Sequence, residues 1–101
     1  GYWDENNPVR SMDKQVLASV WMRPGQEQGK GKMLVIVTNW EDDIEARIRI
    51  NAKTAAEWIG PRSTWRAVEP ESGASLDIAR NGEIKLPVPR HHYRYILITT
   101  E

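Results

Sequence analysis

The sequence predicts an all-β domain: an antiparallel β-sandwich of about seven strands with almost no helix. Stretches rich in β-branched and aromatic residues recur along the chain, and turn signals separate them about every 8 to 12 residues. Only residues 52–59 have helical character, and they are too few for more than about two turns. A small closed barrel is the alternative architecture.

Length and composition exclude several classes of protein. A chain of 101 residues fits one domain with one core. Its 14 Lys and Arg balance 14 Asp and Glu, which argues against a nucleic-acid binder or a binder of anionic membranes. It has no cysteine, so disulfides and thiolate metal sites are excluded. The longest apolar run, Met33–Val37, is too short to span a bilayer, and we expect no membrane insertion.

The first two predicted strands are Val16–Met22 and Met33–Thr38, and the second is the most apolar segment of the chain. The first strand ends at a Pro-Gly turn signal, and a polar, glycine-rich loop leads to the second. We therefore expect an antiparallel hairpin. The predicted register pairs Val20 with Val35 and Met22 with Met33.

The segment Ile44–Ile50 alternates most regularly between apolar and charged residues. A period of two predicts a strand with one face in the core and one in water. The inward set is Ile44, Ala46, Ile48 and Ile50, and the outward set is Glu45, Arg47 and Arg49. The helix Ala52–Ile59 follows and ends before Gly60-Pro61, and we expect it to cross between sheets with Trp58 anchoring it to the core.

Four further strands complete the sandwich. Ser63–Val68 is a strand, and Tyr93–Thr99 is the last one. Between them, a three-residue loop Arg80-Asn81-Gly82 predicts a hairpin in which Gly82 takes the left-handed position of a bulged turn. That register pairs Ile78 with Ile84 and Leu76 with Leu86. Two prolines, Pro87 and Pro89, predict that the second strand of this hairpin is short or lies on an edge.

Three of the predicted strands, Val16–Met22, Met33–Thr38 and Tyr93–Ile98, are apolar or aromatic on both faces. One face of each strand in a two-layer sandwich should be wet. Either these are central strands whose outer face is covered by loops, or the outer face of their sheet packs on another domain.

The chain opens Gly1-Tyr2-Trp3 without an initiator Met, which suggests a piece of a longer chain. We expect residues 1–14 to be a linker from a preceding domain and residues 15–101 to be a C-terminal β-sandwich. A processed natural N-terminus is the alternative.

Several segments resemble one family. Gly1-Tyr2-Trp3-Asp4 with Pro8-Val9 resembles the exit from the catalytic barrel of bacterial glycoside-hydrolase-like proteins, where a "GYW" stretch leads into a C-terminal β-sandwich. The strands at 16–21 and 32–40 are similar to the first two strands of that sandwich. His92-Tyr93-Arg94-Tyr95-Ile96-Leu97-Ile98 is similar to its closing strand.

The resemblance implies a non-catalytic module that packs against the catalytic domain of the same parent chain and stabilises it. It also implies a secreted, periplasmic or cell-surface protein. The catalytic carboxylates of the family lie in its barrel and match no position here. Weak self-association through the exposed sheet face is a further expectation.

The aromatic residues are the main candidates for a binding site. Five Trp and three Tyr occur with no Phe, and Trp and Tyr suit both sugar stacking and domain interfaces. An autonomous carbohydrate-binding module is therefore the alternative function, with an outward-facing Trp65, or Tyr93 with Tyr95, as the platform. The candidates for a domain interface are Tyr2, Trp3, Trp21 and Trp40.

No catalytic, metal or cofactor site is predicted. The acidic clusters sit in turns, where carboxylates are usually solvated or bond to local amides. Glu41-Asp42-Asp43 offers oxygen ligands for calcium, but without a regular ligand spacing. The neighbours His91 and His92 point to opposite sides of an extended chain, so we expect one ring to be packed and the other wet.

Overall fold

The computed structural model describes residues 7–23 and 31–100. It confirms the predicted all-β sandwich, with eight strands in the described residues rather than seven. The strands are β1 (Val9–Ser11), β2 (Val16–Arg23), β3 (Lys32–Asn39), β4 (Ile44–Ile50), β5 (Trp65–Glu69), β6 (Ala74–Leu76), β7 (Glu83–Val88) and β8 (Tyr93–Thr100). The helix α1 spans Ala52–Ile59, and one 3-10 turn spans Arg62–Thr64.

Two antiparallel sheets form the layers of the sandwich. The smaller sheet has the order β1-β4-β7, and the larger has the order β2-β3-β8-β5-β6. Alternate residues of the facing strands fill the space between them. The fully buried members of this core include Met33, Val35, Val37, Ile48, Ile59, Ile84, Ile96 and Ile98.

The register predicted for the first two strands and the inward face predicted for the third are confirmed, whereas Arg49, predicted to point outward, is partly buried. Val20 pairs with Val35 and Met22 with Met33 in the β2–β3 ladder. On β4, Ala46, Ile48 and Ile50 are buried and Ile44 is partly buried against the core, whereas Glu45 and Arg47 are exposed.

Strand β1 lies inside the stretch that we expected to be a linker. Val9 pairs with Ile50 and Ser11 with Ile48, which makes β1 one edge of the smaller sheet. Asp13 fixes the end of this pairing, since its carboxylate accepts the backbone N–H of Arg47 at 2.8 Å and contacts its guanidinium at 2.9 Å. The prediction of a linker is therefore wrong for residues 7–14, which belong to the sandwich.

The predicted hairpin at residues 76–86 is correct at its turn and wrong in its ladder. The N–H of Ala79 donates to Glu83, the N–H of Gly82 donates to Ala79, and Gly82 has a φ of 88°. The three-residue loop with a left-handed glycine is thus confirmed. Beyond it the strands separate, because β6 pairs with β5 while β7 pairs with β4. As predicted, β7 with Pro87 is an edge strand.

The crossover helix forms where the sequence predicts it. Asn51 caps its first turn by accepting the N–H of Thr54 at 3.3 Å. Ala55 and Ile59 hold α1 to the core, whereas Trp58 is 47% exposed. The prediction that Trp58 anchors the helix is therefore wrong. After α1, the 3-10 turn occupies residues 62–64, so β5 begins at Trp65 rather than at Ser63.

One buried amide ties together the loops at the end of the sandwich where β3 finishes. Asn39 is fully buried and donates to the carbonyls of Asp42 at 2.8 Å and Val88 at 3.1 Å. Its oxygen accepts from the backbone of Glu41 and from the side chain of Gln15, both at 3.1 Å. This side chain therefore joins both sheets. None of the described helices is long and apolar enough to cross a membrane.

Candidate functional site

The outer faces of the two sheets differ in chemistry. In the smaller sheet, the strands β1, β4 and β7 turn charged side chains outward. They are Arg10, Glu45, Arg47, Arg49, Glu83 and Lys85, and the registers set Arg10 beside Arg49 and Arg49 beside Glu83. This is the wet face expected of a sandwich sheet. The outer face of the larger sheet does not follow the same pattern.

Neighbouring strands β2, β3 and β8, together with Val68 of β5, place outward residues in three rows, which we call the apolar face. The registers define each row across the sheet. The rows are Leu17, Thr38 and Tyr93; then Ser19, Ile36 and Tyr95; then Trp21, Leu34, Leu97 and Val68. None of these side chains carries a charge at neutral pH.

Exposure is highest at two margins of the apolar face. Trp21 is 70% exposed, Leu17 is 54% exposed, and Tyr93 is 49% exposed. Ile36 and Leu97, inside the face, are partly buried because strands flank them on both sides. The sandwich therefore leaves a contiguous apolar surface in water, which is typical of an interaction site.

Cations border the apolar face at one end. The registers set Arg23 beside Lys32, Lys32 beside Thr99, and Thr99 beside Arg66. This basic row crosses four strands of the larger sheet. An acidic group on a partner would meet three cations there.

The two tyrosines of β8 do not form a flat platform. Their ring centroids are 5.4 Å apart, but the rings are inclined by 70° in an edge-to-face contact. Electrostatic interaction with Tyr93, followed by desolvation, raises the pKa of Tyr95 above its ordinary value of 10.0. A sugar ring could therefore lie on one of these aromatic faces, but not on both at once.

The chain matches no family model, no curated protein and no solved structure.

The other predicted aromatic residues lie in different places. Trp65 is 9% exposed, and its indole N–H donates to the carbonyl of Gly60 at 2.8 Å. The expectation that Trp65 faces outward is wrong, because it shares the inner face of β5 with Ala67. Trp40, just after β3, is 61% exposed. Tyr2 and Trp3 lie outside the described residues.

The acidic turn bonds to a neighbouring loop, and both histidines are exposed. The Asp43 carboxylate accepts the backbone N–H of Arg90 at 2.7 Å, so it serves the loop after β7. Nowhere in residues 7–23 and 31–100 do three His, Cys, Asp or Glu side chains come together as metal ligands. His91, with a φ of 57°, and His92 are both exposed in the turn before β8. The expectation that one of the rings is packed is therefore wrong.

A cleft of about 470 Å³ opens between β6 and β7, where Pro87 and Arg94 line it. Glu69 is its buried carboxylate, at 6% exposure. The hydroxyl and then the backbone N–H of Ser72, the latter at 2.6 Å, hold the pKa of Glu69 below its ordinary value. An ionised carboxylate committed to its own turn is a poor general acid.

Four members of the apolar face were not among the predicted site residues: Leu17, Leu34, Ile36 and Leu97. The sequence did predict that their three strands are apolar on both sides. The alternation of side chains along a strand identifies these residues. On β3 the inward residues Met33, Val35 and Val37 are fully buried, so the residues between them must face outward.

Proposed function

We propose that this chain is a non-catalytic β-sandwich module that packs, through the apolar face, against a neighbouring domain of the same parent protein. In the glycoside-hydrolase-like proteins that its sequence resembles, that neighbour is the catalytic domain. The module stabilises the neighbour and performs no chemistry of its own.

The single observation that supports this proposal best is the contrast between the two outer faces. The smaller sheet turns charged side chains outward, as a sheet facing water does. The larger sheet exposes Trp21, Leu17 and Tyr93 instead. An exposed apolar face of this kind makes a free domain prone to aggregation. Burial of the face against a partner is favourable.

The carbohydrate-binding alternative has less support. Trp65 offers little of its ring to a ligand because it is only 9% exposed. The inclination of Tyr93 against Tyr95 removes a flat two-ring platform. A tryptophan-fluorescence titration with a panel of polysaccharides tests this alternative, and a saturable change lost in Tyr95→Ala would favour it over docking.

Hydroxyl-radical footprinting of this chain and of its full-length parent protein tests docking. We expect Trp21 and Tyr93 to be oxidised readily in the isolated chain and to be protected in the parent. Trp58 on α1, 47% exposed and outside the three rows of the apolar face, is the internal control and should react equally in both. Equal oxidation of Trp21 in the two proteins would contradict the proposal, as would a parent without another domain.

A further inference from the structure

The free edge of β2 differs from the other edges of both sheets. Strands β1 and β6 have three residues each, and β7 carries Pro87. Short strands and prolines protect an edge from pairing with another chain. Strand β2 has eight residues, no proline and no charge before Arg23. Among the described edge strands, β2 is the only one that is neither short nor interrupted by a proline, although α1 and β1 contact it.

The hydrogen bonds at one end of β2 show which of its backbone groups bond to β3 and which point to the free edge. The N–H of Trp40 donates to Gln15 at 3.0 Å, and the N–H of Asn39 points the other way, to His92 at 3.0 Å. In an antiparallel pair this alternation continues residue by residue. The bonds from β2 to β3 are therefore made by Leu17, Ser19, Trp21 and Arg23. The N–H and C=O groups of Ala18, Val20 and Met22 point to the free edge.

Side chains at this edge are open on both faces of the sheet. On the outer face, Trp21 and Leu17 are the most exposed members of the apolar face. On the inner face, Ala18, Val20 and Met22 are only partly buried, whereas their neighbours on β3 are fully buried. A strand laid beside β2 would cover both sets and bond to the outward backbone groups.

We propose that β2 pairs antiparallel with β2 of a second copy, with the two-fold axis at Ser19. This register sets Leu17 of one copy opposite Trp21 of the other, twice, and Ser19 opposite Ser19. It bonds Ala18 of each copy to Val20 of the other. A shift of the pairing by two residues would use the same backbone groups but would set Leu17 opposite Arg23. That register places an apolar side chain against a cation.

Charge favours this arrangement, and the small area of a strand edge limits its strength. The antiparallel orientation sends the two Arg23 side chains to opposite ends of the interface, so the cations do not meet. A single strand edge with two large apolar side chains covers less than the roughly 800 Å² per partner of a stable complex. The dimer is therefore weak, and it forms as the protein concentration rises. It uses the edge of the sheet and leaves Ile36 and Leu97 for the docking proposed above.

Sedimentation velocity over a concentration series tests the proposal, with one substitution made on each edge of the larger sheet. Ser19 on β2 and Ser75 on β6 are both exposed edge serines. We expect wild type and Ser75→Lys to shift from monomer to dimer with concentration. Ser19→Lys brings two cations together at the axis and should remain monomeric throughout. Monomeric wild type at every concentration overturns the proposal, as does a dimer that Ser19→Lys does not weaken.

Cross-linking provides a second test that does not depend on the lysine variant. The chain has no cysteine, so a single introduced thiol can only link two copies. Opposed residues in a non-hydrogen-bonded pair have Cα atoms about 4.5 Å apart, within the roughly 4.4–6.8 Å of disulfides. Mild oxidation should link Ser19→Cys much faster than Ser75→Cys. Equal rates would overturn the pairing. The dimer covers Leu17 and Trp21 at the margin of the apolar face, whereas docking also uses Ile36 and Leu97 inside it, so failure here leaves the docking proposal standing.

Discussion

Gly82 and Ile50 meet backbone to backbone where the β6–β7 turn closes over the end of β4. The N–H of Ile50 donates to the carbonyl of Gly82 at 2.9 Å. A methyl group added to Gly82 would lie 2.3 Å from the carbonyl oxygen of Ile50. Glycine is therefore required here twice, for its φ of 88° and for the space.

Substitution of Gly82 should therefore lower the free energy of unfolding more than substitution of a glycine that has only the positive φ. Gly73 has a φ of 75° with nothing within 4 Å of an added methyl. We expect Gly73→Ala to lower the free energy of unfolding by about 1 kcal/mol through backbone strain alone. Gly82→Ala should cost about 3 kcal/mol or more, since the clash is with backbone. Urea unfolding of both variants measures the difference, and equal losses would contradict the role given to Ile50.

Removal of the Asn39 side chain should destabilise the sandwich strongly. Its buried amide satisfies groups on both sheets, and each one left unpaired costs about 1–3 kcal/mol. We expect Asn39→Ala to lower the free energy of unfolding by about 3 kcal/mol or more. Asn81→Ala is the control: Asn81 is exposed and accepts one bond, from the N–H of Glu83 at 3.1 Å. A similar small loss for both variants would show that the Asn39 network is not needed.

The carboxylate of Glu69 should make stability depend on pH in the acid range. Its bonds to Ser72 lower the pKa below the ordinary value of 4.5, so the unfolded chain binds a proton at higher pH than the folded one. The contribution is complete above 4.5 and is lost as the pH falls through the folded-state value. Thermal unfolding against pH should show a shallower acid limb for Glu69→Gln. Glu57→Gln, which removes an exposed carboxylate on α1, should keep the steep limb; parallel curves for all three proteins would contradict the prediction.

Asp13 and Arg47 form an ion pair whose two members should not be equivalent. The Asp13 carboxylate also accepts the backbone N–H of Arg47 at 2.8 Å, and that bond survives truncation of the arginine. We therefore expect Asp13→Ala to destabilise the protein more than Arg47→Ala. The double variant should resemble Asp13→Ala alone. Guanidinium unfolding of the three variants measures this order, and the reverse order would contradict it.

Local patterns predicted most of the strands because period and turn chemistry are local. The β2–β3 register and the inward face of β4 depended on alternation of residues that the core confirms. The predicted pairing of Leu76 with Leu86 is wrong, because turns lie on both sides of residues 74–76. The turn at residues 70–73, held by Glu69 and Ser72, brings them to β5, and a single sequence does not show which turn sets the pairing.

The candidate site was predictable as a property of strands rather than as a set of residues. Apolar residues on both sides of β2, β3 and β8 indicated a second buried face, and the sheet order brings those strands together. The prediction of an outward-facing Trp65 overlooks its charged neighbour Arg66. Adjacent residues in a strand point to opposite faces, so an outward Arg66 places Trp65 in the core. The free edge of β2 follows from the order of the strands, which the sequence does not reveal.

The position of β8 in the larger sheet has a consequence for synthesis. This strand is the last of the described elements to be made, yet it lies between β3 and β5. Until it leaves the ribosome, β2–β3 and β5–β6 are separate hairpins, and the inner edges of β3 and β5 have no neighbour in their own sheet. A ribosome that stalls before Tyr93 would therefore hold a chain with two more open edges than the finished domain, an aggregation-prone intermediate for chaperones to bind.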